Sequence, residues 1–111
     1  MKTSLTLAAL VASVALGLAG TAVASEKLAQ EKQCMGCHDI KKDGAAPSFK
    51  KIAAFWKGRQ DAEASLMRTI QQGSVATGGP HWAKARMPDQ AERPLVSEAE
   101  ARLLARWVLT Q

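Results

Sequence analysis

The sequence predicts a small all-α domain of about four helices. Apolar residues recur at helical spacing in successive segments, whereas no β-branched run suited to a strand occurs after residue 24. The three Trp and two Phe residues all lie after that point and support only a modest core. Domains of this size are commonly stabilised by a disulfide, a metal or a cofactor, and we therefore expect one of these here.

Residues 1–24 are expected to be a cleaved signal peptide. Met1 and Lys2 form a short basic start, residues 5–19 are an apolar run, and residues 22–24 have the small-x-small pattern of a cleavage site. Lys2 is the one charged side chain in residues 1–24. Cleavage after Ala24 would therefore lower the formal net charge from +5 to +4 and shorten the chain from 111 to 87 residues. The apolar run is too short and too alanine-rich to favour a retained membrane anchor. The sequence therefore predicts export to the periplasm.

The first two predicted helices flank a short polar connector. Residues 26–37 are predicted to be helical and to run directly into the cysteine motif, and residues 39–46 form the connector. Pro47-Ser48 opens a second short helix, and Gly58 ends it. Its apolar residues recur at i, i+3, i+4 and i+7, and they are Phe49, Ile52, Ala53 and Trp56.

A long loop separates the third and fourth predicted helices. Asp61 is a candidate N-cap of the third helix and Gly73 is its expected end. Residues 74–96 form the loop, and Ser97 with Glu100 has the spacing of a capping box at the start of the fourth helix. The fourth helix needs an apolar partner, for which the first helix is the expected choice. The core side of the third helix carries Ala62, Leu66, Met67 and Ile70, and that of the fourth carries Leu103, Leu104, Trp107 and Val108.

Both cysteines of the chain lie in a C-x-x-C-H motif formed by Cys34, Cys37 and His38. A thioredoxin-like redox pair would need this motif between a strand and a helix, but the preceding residues favour a helix. A zinc site would need four ligands, and the adjacency of Cys37 and His38 is awkward for tetrahedral geometry even with His81 added. Covalent attachment of a c-type haem requires this pattern alone, because the thiols add to the vinyl groups and the imidazole binds the iron. We therefore interpret the motif as a haem attachment site, an interpretation that the export signal supports.

The sixth ligand of such an iron separates an electron carrier from an enzyme. Met35 lies inside the attachment motif and cannot reach across the ring, and Met67 lies among the core residues of the third helix. Met87 stands in a loop rich in Gly and Pro, where core packing explains a methionine poorly, and Pro88 favours an extended conformation at Met87. Met87 is therefore the predicted sixth ligand. The remaining candidates are His81, as the alternative, and Lys84, as the least favoured.

Taken in order, these residues resemble class I c-type cytochromes, in particular the small bacterial cytochrome c-551/c-552 group. The resemblance covers essentially the whole chain after residue 24. It rests on C-x-x-C-H at 34–38, Ala-Pro-Ser-Phe at 46–49, Trp82, Met87-Pro88, and Arg-Trp-Val-Leu at 106–109. It implies a class I cytochrome c fold, with about four helices wrapped around one covalently attached haem and the N- and C-terminal helices packed together. It also implies that the Pro47 carbonyl accepts a hydrogen bond from His38 and that Trp82 donates its indole N–H to a haem propionate.

The chain departs from the pattern of that group at several places. Ala46 and Ala83 stand where the group usually has glycine, and the stretch between Gly73 and Trp82 is longer than is typical. Asp89-Gln90 replaces a Pro-Asn pair whose Asn can hydrogen-bond the methionine sulfur, and residues 92–95 resemble an insertion. These departures leave the ligand set intact and bear on the reduction potential and the propionate contacts.

The ligand set predicts an electron carrier rather than an enzyme. An iron held by His38 and Met87 has no open position for a substrate, which disfavours acid–base, nucleophilic and metal-activated-water chemistry. His/Met ligation in an apolar pocket raises the reduction potential relative to bis-His ligation, so we predict a diffusible one-electron carrier of a periplasmic respiratory chain. Two alternatives stay open: a cytochrome subunit bound to a periplasmic oxidoreductase of the sulfite dehydrogenase type, and a haem sensor or enzyme in which Met87 is labile.

A set of basic residues bears on the partners of such a carrier, a periplasmic or membrane-bound donor and acceptor. These residues could simply form a solvated surface. The more specific hypothesis is a basic ring around the haem edge that docks onto an acidic redox protein. Nucleic acid is not an expected partner, because the chain is exported and no stacking aromatics accompany the charges. We expect a monomer. The basic residues are Lys41, Lys42, Lys50, Lys51, Lys57, Arg59, Lys84 and Arg86.

Overall fold

The computed structural model describes residues 17–77 and 85–111, and this part of the chain holds four α-helices and no β-strand. The helices are α1 (Gly17–Glu31), α2 (Phe49–Trp56), α3 (Ala62–Thr77) and α4 (Glu98–Leu109). Helix α4 packs against each of the other three, including α1. The predictions of an all-α fold and of paired first and last helices are therefore confirmed. None of the helices in the described ranges is long and apolar enough to cross a membrane.

Helix α1 ends before the cysteine motif, so the prediction of a continuous helix over residues 26–37 is wrong at its C-terminal end. Gln33 adopts a left-handed conformation, with φ 62° and ψ 21°, and Cys34–Gly36 forms a 3₁₀ turn. A left-handed residue redirects the backbone and stops the helical ladder. The N–H groups of Cys37 and His38 then both donate to the Cys34 carbonyl, at 3.3 and 3.0 Å. The motif is consequently a tight turn that brings two thiols and an imidazole together.

Helix α2 agrees with its predicted segment, and α3 begins at its predicted start. Ser48 caps α2, since its hydroxyl accepts a hydrogen bond from the Lys51 N–H at 3.1 Å. Gly58 follows α2 in a positive-φ conformation, as expected for a residue that ends a helix. The predicted N-cap Asp61 precedes α3, but its carboxylate accepts a hydrogen bond from the Ser65 hydroxyl at 3.4 Å rather than from a backbone amide. Gly73 breaks α3, with φ 80° and ψ 167°, and one further helical turn follows it up to Thr77. The prediction that the loop begins at residue 74 is therefore wrong, because the helix resumes after the break at Gly73.

Helix α4 begins at the predicted capping box and supplies much of the core. The Ser97 hydroxyl accepts from the Glu100 N–H at 3.1 Å, and the Glu100 carboxylate accepts from the Ser97 N–H at 3.0 Å. The prediction that Leu103 belongs to the buried stripe is wrong, because this side chain is 45 % exposed. Leu103 lies about 100° around the helix from Leu104, outside the arc that faces the core. The buried residues of α4 are Ala101, Leu104, Ala105, Trp107 and Val108.

The core places small residues where helices meet and aromatic residues beside the motif. Ala29 of α1 is fully buried, and its short side chain lets α1 approach α4 closely. Phe49 at the start of α2 and Trp107 of α4 are both nearly fully buried and meet edge to face, with ring centroids 5.2 Å apart. The core therefore extends directly to the residues around His38.

Candidate haem-binding site

A cavity of about 830 Å³ lies between α2, α3, α4 and the cysteine motif. This volume falls within the roughly 300–1,000 Å³ typical of small-molecule and cofactor sites. Its walls bring together five predicted site residues from distant parts of the chain, namely Cys34, Cys37, His38, Pro47 and Met87. The sixth, Trp82, and the alternative ligand candidates His81 and Lys84 lie outside the described residues. The cavity has the size and the donor set that a covalently attached haem requires.

The two cysteines present free thiols at the cavity. Cys34 is half-buried and Cys37 is exposed, and they do not form a disulfide. Burial raises the pKa of the Cys34 thiol, and the nearby positive charge of Arg93 opposes that rise. The strand–helix context of a thioredoxin-like pair is missing in the part of the chain that the structure describes, because the motif follows a helix. Two cysteines that follow a helix and face a large apolar cavity fit thioether attachment better than redox exchange.

His38 is held in the orientation that a metal ligand needs. Its Nδ1 lies 2.7 Å from the Pro47 carbonyl oxygen, which fixes Nδ1 as the protonated donor. The opposite nitrogen, Nε2, makes no hydrogen bond to any described residue and remains the basic atom. Burial lowers the pKa of His38, although the hydrogen bond to Pro47 acts in the other direction. Burial thus favours the neutral imidazole and the hydrogen bond fixes its tautomer, and a neutral imidazole of fixed tautomer is the form that ligates metals.

The connector after the motif positions the Pro47 carbonyl through backbone hydrogen bonds. The Ala46 N–H donates to the Cys37 carbonyl at 3.2 Å, and the Phe49 N–H donates to the Asp39 carbonyl at 2.9 Å. The Asp43 carboxylate accepts from the Ser48 N–H at 2.9 Å, and this contact lowers the pKa of Asp43. Hydrogen bonds on both sides of Pro47 thus aim its carbonyl at His38.

Phe49 is a further site residue that the sequence analysis counted as helix packing alone. Its ring stacks on the His38 imidazole, with centroids 5.0 Å apart and planes 20° from parallel. The same ring also meets the Trp107 ring edge to face. Phe49 therefore links α4 to His38, so that the packing of α4 helps to set the orientation of the imidazole ring. Only the placement of Phe49 two residues after Pro47 pointed toward this role in the sequence.

Met87 is half-buried at the cavity wall, and its backbone is fastened to α3 by two hydrogen bonds to one serine. The Met87 N–H donates to the Ser74 hydroxyl at 2.8 Å, and the Ser74 N–H donates to the Met87 carbonyl at 3.1 Å. Ser74 is buried, so neither bond competes freely with water. The sequence held no signal for Ser74 beyond its position after Gly73.

Gly73 permits the close approach of the Met87 loop to α3. A Cβ atom on Gly73 would lie 2.7 Å from the Met87 carbonyl oxygen and 3.0 Å from both Pro88 C and Asp89 N. The conformation at Gly73, with φ 80° and ψ 167°, is essentially restricted to glycine. Gly73 therefore serves the site as well as forming the break in α3.

The structure also shows the contacts of the loop that follows Met87. The Gln90 side-chain oxygen accepts a hydrogen bond from the Val96 N–H at 2.7 Å, so this residue closes its own loop. Met87 Sδ accepts no hydrogen bond from the described residues.

Met67, interpreted from sequence as a core residue, is half-buried and packs against the hydrophobic core. Trp56, interpreted as a packing residue, lines the cavity and is covered by Arg59, whose guanidinium carbon lies 5.4 Å from the Trp56 ring centroid.

Comparisons with known proteins agree with this geometry. The family model for cytochrome c matches residues 22–111. The chain is 41% identical to cytochrome c-552 of Hydrogenobacter thermophilus over 95 residues, which cover 86% of this chain and 89% of that one. It is 40% identical to cytochrome c-551 of Pseudomonas aeruginosa over 86 residues, which cover 78% and 75% of the two chains. The crystal structure of wild-type Nitrosomonas europaea cytochrome c552 matches with a TM-score of 0.66 at 33% identity, over 77% of this chain and 96% of that one.

The matches cover 75% to 96% of the length of these relatives. The family model, over residues 22–111, includes the cysteine motif and the residues that line the cavity. Family membership and local geometry thus point to the same cofactor, a haem c joined to the chain through thioether bonds. The chain therefore belongs to the cytochrome c family, as a small class I c-type cytochrome that carries haem c covalently and transfers electrons rather than catalysing a reaction on a substrate.

Proposed function

We propose that this chain is a periplasmic monohaem cytochrome in which His38 and Met87 ligate the iron and which shuttles single electrons between redox proteins. The observation that carries the proposal is the convergence of Cys34, Cys37, His38 and Met87 on one cavity from segments about fifty residues apart. Cys34 and Cys37 would hold the porphyrin through thioether bonds, and Pro47 would orient His38. Trp82 remains the proposed propionate contact on the strength of the resemblance.

The residues around the cavity suit electron transfer because they hold their positions without the help of a substrate. When bound, haem c supplies an iron that alternates between the ferrous and ferric states. His38 is held by Pro47 and Phe49, and Met87 is held by Ser74. Ligands fixed by the surrounding chain move little when the charge of the iron changes, and this lowers the reorganisation that electron transfer demands.

We expect the ferrous wild-type protein to keep its low-spin visible spectrum when carbon monoxide is added, because Met87 closes the sixth position. The Met87→Ala variant should bind carbon monoxide readily and show a lower reduction potential, since the thioether that favours ferrous iron is gone. Absorption spectra before and after gas addition, together with a potentiometric titration, measure both effects.

Met67→Ala is the matched control, because it removes a second half-buried methionine that packs on the core. It should lower stability yet leave the iron closed to carbon monoxide. A wild-type protein that binds carbon monoxide as readily as Met87→Ala would refute Met87 as the ligand and would favour the sensor or enzyme alternative.

The proposal includes export and cleavage after Ala24, supported by the basic start and the small-x-small pattern of residues 22–24. Haem is attached to exported apoproteins outside the cytoplasm, so a C-x-x-C-H motif and an export signal belong together. Helix α1 crosses the proposed cleavage site, with Ala24 exposed and Ser25 buried. The mature protein would begin at Ser25 and keep the buried Ala29 that packs on α4.

The proposal also includes docking through a basic surface around the haem edge. Lys51 and Arg86 line the cavity, and both have acidic partners: Lys51 lies 3.1 Å from Asp43, and Arg86 lies 3.7 Å from Glu92. Four further lysines are exposed and make no ion pair within the described residues, and they add positive charge that the Asp39 carboxylate partly offsets at Lys41 and Lys42. These lysines are Lys41, Lys42, Lys50 and Lys57.

We expect the rate of oxidation of the ferrous protein by hexacyanoferrate(III), an anion, to fall as ionic strength rises. Oxidation by tris(phenanthroline)cobalt(III), a cation, should respond in the opposite direction. Stopped-flow rates for wild type and for the Lys42→Gln/Lys50→Gln variant test this, and the variant should have the shallower salt dependence with the anion. Rates that ignore ionic strength for both oxidants would rule out the basic ring and leave a simply solvated surface.

A further inference from the structure

One arginine of the loop formed by residues 89–96, Arg93, contacts the backbone next to Met87. Arg93 is half-buried at the cavity wall, and its guanidinium donates to two backbone carbonyls from different parts of the chain. Nε donates to the Pro88 carbonyl at 2.9 Å, and Nη2 donates to the Ile70 carbonyl of α3. A planar guanidinium can hold two acceptors in a fixed relative geometry, which a lysine ammonium cannot.

The break at Gly73 explains why the Ile70 carbonyl accepts from a side chain. In an uninterrupted helix, the Ser74 N–H would donate to the Ile70 carbonyl, four residues earlier. Here the Ser74 N–H donates to the Met87 carbonyl instead, because Gly73 is non-helical. Arg93 takes up the Ile70 carbonyl at the end of the main body of α3, where the helix dipole also favours a positive charge.

We propose that Arg93 is a positioning residue for the Met87 ligand, because its guanidinium joins the end of α3 to the residue next to Met87. This inference rests on the proposed role of Met87. Ser74 fastens the Met87 backbone on one side, and Arg93 fastens the adjacent Pro88 carbonyl on the other. The two contacts together prevent the loop from swinging away from the cavity and withdrawing the thioether.

The experiment compares how easily imidazole displaces the proposed methionine ligand from the ferric protein. The apparent affinity for imidazole rises with the fraction of molecules in which the methionine is detached. Arg93→Gln should increase that affinity roughly tenfold or more, because it removes two hydrogen bonds from a charged donor. The red charge-transfer band given by methionine-ligated ferric haem should weaken in parallel.

Two variants separate the bridge from the charge. Arg68→Gln also removes one positive charge, from an exposed residue of α3 that makes no ion pair within the described chain. The imidazole affinity of this variant should stay near the wild-type value. Arg93→Lys keeps the charge but loses the forked geometry, so its affinity should rise clearly above wild type. If Arg93→Lys bound imidazole with wild-type affinity while Arg93→Gln bound it much more tightly, the charge alone would matter, and the two-carbonyl bridge would be contradicted. Arg93→Lys carries the test if Arg93→Gln does not accumulate as a haem protein.

The Met87→Ala background shows whether Arg93 acts through the methionine. Adding Arg93→Gln to Met87→Ala should leave the imidazole affinity unchanged, and an equal increase in both backgrounds would overturn the inference. If the wild-type protein lacks the charge-transfer band, the ligand assignment falls and this inference falls with it. If the band is present and Arg93→Gln matches Arg68→Gln, the inference alone is wrong.

Discussion

Replacing Gly73 by alanine is expected to detach Met87 from the proposed iron site. The new Cβ would lie 2.7 Å from the Met87 carbonyl oxygen, so either the loop or α3 must move. The backbone conformation, with φ 80° and ψ 167°, also disfavours any residue with a side chain. Strain and overlap together should cost about 3 kcal/mol or more in the free energy of unfolding. Chemical denaturation of the ferric protein and the methionine charge-transfer band measure the two consequences.

Gly58→Ala is the control that separates strain from overlap. Gly58 also has a positive φ of 77°, but a Cβ there meets no atom within 4 Å. This variant should lose about 1–2 kcal/mol of stability and keep the methionine band intact. If Gly73→Ala retained the full band and lost no more stability than Gly58→Ala, then contact between Gly73 and the Met87 loop would not hold the ligand in place.

Replacing Phe49 by alanine is expected to destabilise the core and loosen the His38 imidazole together. Phe49 is 4 % exposed and lies between the His38 ring and the Trp107 ring, so its removal leaves a cavity between ligand and core. Large-to-small changes at buried aromatic sites cost about 3–5 kcal/mol. Thermal unfolding reports the stability, and paramagnetically shifted NMR signals of the ligand histidine report its orientation.

Phe55→Ala is the matched control, because Phe55 also lines the cavity but is 45 % exposed. It should cost about 1 kcal/mol and leave the histidine signals in place. Phe49→Leu should regain most of the lost stability, since leucine refills much of the volume. Equal losses in Phe49→Ala and Phe55→Ala would argue against a specific link from α4 through Phe49 to His38.

The sequence predicted the helices best where capping and spacing agreed. Ser97 and Glu100 form the expected capping box, Ser48 caps α2, and Gly58 follows that helix with positive φ. Each of these signals is local, involving residues within a few positions of one another, and so a linear chain displays it. The first helix ends at Glu31, earlier than predicted, for a reason that is not local to the helix. Gln33 is left-handed although glutamine is an ordinary helix former, so its conformation is imposed by the turn that Cys34–Gly36 must make.

The motif chemistry of the site was likewise readable from the chain alone. The spacing of Cys34, Cys37 and His38 specifies a covalent cofactor, and the cytochrome c family match agrees with it. The contact between His38 and the Pro47 carbonyl was implied by the resemblance, and the structure places the two atoms 2.7 Å apart. These residues lie within ten positions of one another, so short connecting segments settle their geometry.

The far side of the cavity depended on the tertiary structure. Nothing in the order of residues showed that Ser74 would accept from Met87, that Phe49 would stack on His38, or that Arg93 would bridge two carbonyls. Such contacts join segments whose separation in space depends on how α4 packs on the other three helices. The chain by itself therefore determined most of the helices and the covalent cofactor, and it predicted the iron ligands, because these follow from local chemistry. Packing decided how the proposed ligands are held, because the bonds that fix them cross between elements that meet only in the folded protein.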